Sequence, residues 1–88
     1  MATDYTVLYI NTDDYILSEV IGVYNRLHDA VEAVIKAAHY DQDEDGCLRQ
    51  YRRPTRDYES YSELYELVYN NFILEDYDLY VIRPNVYQ

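Results

Sequence analysis

Apolar residues recur along this chain in two rhythms, one of two residues and one of three to four, and the switches between them mark its elements. Tyr5 to Ile10 (YTVLYI) is rich in β-branched and aromatic residues and predicts a strand. The turn formers Asn11-Thr12-Asp13-Asp14 follow. Ile16 to Tyr24 (ILSEVIGVY) resumes a strand pattern, with Leu17, Ile21 and Val23 on one parity and Ser18, Val20 and Gly22 on the other. Together the two segments predict an antiparallel hairpin.

The rhythm then changes. Leu27, Ala30, Val31, Val34, Ile35 and Ala38 fall at the spacing of one helical face, the clearest periodic signal in the chain. Asn25 is the candidate N-cap, and Glu32 and Lys36 stand off the stripe in the favourable i, i+4 order. This helix is expected to end near Tyr40, before the acidic loop Asp41 to Gly46. Cys47 to Arg53 reads as a short strand or extended stretch that Pro54 stops. Ser60-Tyr61-Ser62-Glu63 matches a capping box and predicts a second helix to Phe72, buried through Tyr61, Leu64, Tyr65, Val68 and Phe72. Leu79 to Ile82 reads as a last strand, ended by Arg83-Pro84. The order β-β-α-(β)-α-β predicts an α+β fold: a small antiparallel sheet of three to four strands with two helices packed on one face.

Ser18 to Ala38 carries the step Ile21-Gly22-Val23-Tyr24 running into a helix with Ala30-Val31-Glu32-Ala33. This stretch resembles a pattern in short uncharacterised proteins of tailed phages and large DNA viruses, in which the second strand of a hairpin leads directly into an amphipathic helix. The resemblance implies a fold and a viral setting. It implies no activity, and it does not extend to the half of the chain from Cys47 onward.

With 88 residues there is room for one domain and one core, so residues 1–88 are read as a single domain. A formal charge of -10 argues against direct binding to nucleic acid or anionic membranes, whose affinity comes largely from Lys and Arg. The same charge suits solubility, a protein partner with a basic surface, or mimicry of nucleic acid toward a protein that binds it. Cys47 is the one cysteine, so no internal disulfide forms. Residues 1–20 lack the basic and apolar regions of a signal peptide, and no apolar run approaches the roughly 20 residues that span a bilayer. The expected setting is intracellular.

Asp41-x-Asp43-x-Asp45-Gly46-x-Leu48 matches the first eight positions of a calcium loop, with carboxylates at 1, 3 and 5 and a turn glycine at 6. Arg52 stands where the bidentate Glu belongs, and Arg49 occupies position 9. Such a loop would need Glu59 or Glu63 from elsewhere and would bind at the millimolar end of the range. The competing reading is a solvated acidic turn. Arg49, Arg52, Arg53 and Arg56 form a basic run without an acid, suited either to gripping phosphate or to pairing with nearby carboxylates and neighbouring subunits. Thirteen tyrosines are more than one small core can bury with every hydroxyl satisfied, so an exposed surface of tyrosine and carboxylate is expected. Asp57, Tyr58, Glu59, Glu63 and Tyr69 are its candidate partner-binding residues.

No catalytic constellation stands out, and the chain is read as not an enzyme. His28 and His39 lie eleven residues apart on one helix, about three turns, too far to cooperate. Zinc spacing, a P-loop and a dinucleotide glycine pattern are all missing from the sequence. No cofactor is expected beyond the calcium candidate. The leading expectation is a small acidic viral accessory protein acting by protein–protein contact, as an inhibitor or nucleic-acid mimic toward a basic host protein. The alternatives are a degenerate calcium module at Asp41, Asp43 and Asp45, and a homodimer whose tyrosine surface meets its twin.

Overall fold

The computed structural model describes residues 2–11, 18–38, 40–42, 48–50, 60–75 and 78–87. Its elements in chain order are β1 (Ala2–Ile10), β2 (Ser18–Tyr24), α1 (Leu27–Ala37), β3 (Tyr40–Gln42), β4 (Leu48–Gln50), α2 (Tyr61–Asn71), β5 (Ile73–Glu75) and β6 (Leu79–Tyr87). The fold is α+β. An antiparallel sheet in the order β2-β1-β6-β5 carries the core, and β3 and β4 form a separate two-stranded ladder. Among the described residues no helix is long and apolar enough to cross a membrane.

Alternation along the strands decides which face the helices cover. Val7, Leu74, Tyr80 and Ile82 are buried in one cluster with Ala30, Val31, Val34 and Ile35 of α1 and Leu64 and Val68 of α2. Tyr5 and Tyr9 pack against the same cluster. Both helices therefore lie on the face to which the odd residues of β1 and the even residues of β6 turn. Of the stripe predicted for α1, all but Leu27 are buried, and Leu27 packs at the edge of the core.

Local chemistry fixes the helix ends. Ser60 Oγ accepts a hydrogen bond from the Glu63 backbone N–H at 3.1 Å, so the capping box forms as its residues dictate. At the start of α1 the cap is Arg26 rather than Asn25, and it makes no side-chain cap bond. Arg26 has extended backbone there and reaches Asp29 at 3.6 Å, an exposed pair of small worth. The first helix ends at Ala37, one turn before the expected Tyr40, because Tyr40 is drawn into β3 and buried in the core. The Tyr80 hydroxyl then donates to the Ala37 carbonyl at 3.2 Å, covering one of the open acceptors at that helix end.

Three strand features depart from the sequence pattern. The β1–β2 register shifts between Val7 and Leu8, which pair with Gly22 and Val20, so Ile21 is an extra residue in β2. The bulge splits the parity that Ile21 and Val23 share in the sequence: Ile21 packs against the core while Val23 is 59% exposed. Gly22 sits beside it because the Tyr24 ring lies over it, and a Cβ there would stand 2.8 Å from the Tyr24 hydroxyl. The last strand runs through Pro84 to Tyr87, opposite β1 from Tyr5 back to Ala2. Proline is accepted because β5 pairs only with Leu79 to Val81. The Ile82 N–H points to that side, donating to the Phe72 carbonyl at 2.8 Å, and two residues on Pro84 faces a side that no strand of the described residues occupies. Finally, β5 is a strand that the sequence pattern did not announce. It begins directly after Phe72, a left-handed residue (φ 58°) that ends α2 and turns the chain back along β6.

Candidate functional site

Helix α2 follows a helical repeat of its own on its outward side. Tyr61, Tyr65 and Tyr69 stand four residues apart, so their rings rise one above another along one stripe. Ring centroids are 6.5 Å apart between Tyr61 and Tyr65 and 6.0 Å between Tyr65 and Tyr69, the latter pair stacked at 20°. Tyr61 and Tyr65 lean on the core, whereas Tyr69 is 45% exposed. The ladder is half structure and half surface.

The first turn of α1 lies against this ladder. His28 places its ring 5.6 Å from that of Tyr65 and its Nδ1 2.7 Å from the Tyr65 hydroxyl. Its Nε2 lies 2.7 Å from Glu32 Oε1, one turn along α1. A carboxylate only accepts, so Nε2–H donates to Glu32, and in the neutral tautomer this leaves Nδ1 to accept the Tyr65 O–H. Glu32 thus bonds His28 rather than standing free for Lys36. Burial above all, then the neighbouring Tyr69 phenol and Glu32 carboxylate, push the Tyr65 hydroxyl above its ordinary 10.0. Tyr65 therefore stays a neutral donor throughout the physiological range.

Between these parts runs an open groove of about 570 Å³, lined by His28, Tyr61, Tyr65, Glu66, Tyr69 and Asn70. Its floor is aromatic. Carboxylates border it: Glu66 lines it, and Asp29 and Glu32 stand on the α1 side. His28, Asp29 and Glu32 offer ligand atoms within 4.8 Å of one another, but they are largely exposed and His28 is already engaged on both nitrogens.

Of the partner-binding residues expected from sequence, Tyr69 lines the groove and Glu63 sits exposed in the first turn of α2. Asp57, Tyr58 and Glu59 lie outside the described residues, as does the basic run from Arg52 to Arg56. The calcium candidate divides in the same way. Asp41 belongs to β3, opposite Arg49 in β4, while Asp43 and Asp45 lie outside the described residues. A strand precedes and follows that acidic segment, where a calcium loop of the helix–loop–helix kind has two helices. From sequence His28 reads only as one of three candidate nucleophile–base partners, with His39 and Cys47. Its i, i+4 spacing to Glu32 was visible there, but its meeting with Tyr65 comes from helix packing. Comparison with known families, characterised proteins and solved structures finds no match to this chain.

Proposed function

We propose that this chain is a protein-binding module whose α1–α2 groove takes a basic segment of a partner protein. The observation that carries this reading is the three-ring tyrosine ladder, open at Tyr69 and bordered by Glu66, Glu32 and Asp29. Guanidinium or ammonium groups are attracted to ring faces and to carboxylates, and stacked rings present area at low entropic cost. His28 and the Tyr61–Tyr65 contact hold the ladder before any partner arrives, which lowers the cost of ordering it. The overall charge of -10 adds attraction at long range and speeds encounter. A phage or large-virus setting belongs to the same proposal and rests on the Ser18–Ala38 resemblance. So does action as a nucleic-acid mimic, which requires binding that weakens steeply with salt.

The test is titration with a short synthetic peptide of alternating Arg and Ala, followed by NMR at low and moderate salt. Resonances of Tyr61, Tyr65, Tyr69 and Glu66 should move together. Tyr69→Ala, which changes no charge, should weaken binding about tenfold or more, as loss of an aromatic anchor does. Asp4→Asn removes a negative charge far from the groove and should change affinity less than twofold. The opposite ranking of the two variants would mean that peptide binding is diffuse electrostatics, and would end the groove reading.

A further inference from the structure

We infer that the sheet face turned away from the helices is a self-association surface, on which a second copy of this chain packs sheet against sheet. The inference is independent of the groove, which lies on the helical side.

By register β1 places Asp4, Thr6, Leu8 and Ile10 on the outward parity, and β6 places Leu79, Val81, Arg83 and Asn85 there, with Tyr87 ending the strand on the same parity. The register lines them up across the sheet. Leu8 stands opposite Val20 of β2 on one side and Val81 of β6 on the other, and Val81 stands opposite Ile73 of β5. One apolar row, Val20–Leu8–Val81–Ile73, therefore crosses all four strands. Its ends are open, with Val20 59% and Ile73 41% exposed. Ile10 and Leu79 pair in the next row on one side, and Val23 pairs with Thr6 in the row beyond. None of these residues belongs to the core cluster or packs against it.

Charge selects a twin as the occupant. The chain carries -10, yet among the described residues this face holds only Asp4, Arg83 and Glu75. Two copies can thus meet here with little repulsion, while their acidic helical sides point apart. A two-fold axis lying in the interface and across the strands lays the apolar row on its own copy, and the contact is self-complementary. That axis also swaps the ends of the strands. It brings Arg83 at one end over the twin's end that holds Leu79 and Glu75, a pairing of opposite signs.

Area sets the strength. Strands of 9, 7, 3 and 9 residues cover roughly 450 Å² in projection at a ~3.3 Å rise and ~4.8 Å spacing. Two such faces, with side-chain relief added, reach about the 1,200 Å² at which specific interfaces begin. The dimer is therefore weak, forming at micromolar concentrations and above.

Sedimentation velocity on the full chain from about 1 to 500 µM tests this, in parallel with Val20→Lys, Ile73→Lys, Val86→Lys and Tyr69→Ala. Val20 and Ile73 sit on edge strands, where lysine is tolerated, and circular dichroism confirms that each variant folds. Val86 is 56% exposed but has the helix-side parity of β6, so it controls for added charge. The expected result is a concentration-dependent dimer whose dissociation constant rises at least tenfold in Val20→Lys and Ile73→Lys. Val86→Lys and Tyr69→Ala should leave it within twofold. A wild-type chain that stays monomeric throughout overturns the inference and leaves the face to an unlike partner. A dimer lost in Tyr69→Ala and kept in Val20→Lys overturns it too, placing self-association in the groove.

Discussion

Tyr5, Val7 and Tyr9 of β1 turn toward the helices, and Thr6, Leu8 and Ile10, their chain neighbours, turn away. The two sets are similarly apolar, yet they meet different surroundings. On the inner face Val7 is fully buried against Val31, Leu64 and their neighbours, and the hydroxyls at its margin are held: Tyr9 donates to Asp78 at 3.0 Å and Tyr80 to Ala37 at 3.2 Å. On the outer face Asn85 donates a side-chain hydrogen bond to the Thr6 hydroxyl at 2.6 Å, beside a row of open aliphatic residues. The lesson is that hydrophobic content along a strand does not show which face holds the fold. Chemically equal substitutions on the two faces should therefore separate them.

Isoleucine offers the sharpest contrast. Ile82→Ala on the inner face removes a side chain that is 2% exposed and should cost about 2–5 kcal/mol. Ile73→Ala on the outer face, at 41% exposure, should cost less than about 1 kcal/mol. Urea denaturation at a concentration below any dimerisation compares them, and equal costs would break the assignment of faces. Ser60→Ala comes next. It removes the cap of the helix that supplies Leu64 and Val68 to the inner face, and should cost about 1 kcal/mol with an unchanged denaturant slope. Tyr65→Phe is smaller again. It deletes the bond to His28 at a partly exposed position, worth roughly 0.5 kcal/mol. The ring stack with Tyr69 should persist, so near-ultraviolet circular dichroism should change little.

Those ranks show what the chain displays in one dimension. The α1 stripe and the Ser60–Glu63 box were legible because each is decided within a few residues, by periodicity and by one side-chain oxygen. The β2 bulge was not: Ile21 and Val23 have equal parity on paper, and only the pairing of Val7 with Gly22 and Leu8 with Val20 separates them. Strand β5 is three residues long, too short to show alternation, and exists through its partners on β6. Pro84 looked like a stop because its tolerance depends on which side of β6 lacks a neighbour. In the groove, Tyr61, Tyr65 and Tyr69 could be read off at i, i+4 spacing. His28 could not, since its role comes from α1 lying beside α2. Composition showed that the tyrosines were too many for the core. It could not show that Tyr5, Tyr9, Tyr61, Tyr65 and Tyr80 gather against the core on the helical side, with the row Val20–Leu8–Val81–Ile73 on the other.

That segregation gives the smallest predicted effect and the finest check on the comparison. The Tyr65 hydroxyl sits above its unfolded value of 10.0 because burial and the nearby Tyr69 and Glu32 disfavour its phenolate. The folded state thus holds this proton more tightly than the unfolded chain does. Stability from this source is complete below about pH 10 and is lost as pH rises through the folded pKa. Wild type and Tyr65→Phe should show parallel melting temperatures from pH 7 to 9.5, the variant slightly lower because it lacks the His28 bond. Above pH 10 the gap should narrow or reverse, since phenylalanine has no proton to lose. Other tyrosines ionise in the same range, but they do so in both proteins and cancel in the difference. Ile73→Ala, on the face turned away from Tyr65, should track wild type at every pH. Its divergence above pH 10 would show that alkaline loosening reaches the outer face, and that the two sides of the sheet are not energetically separate.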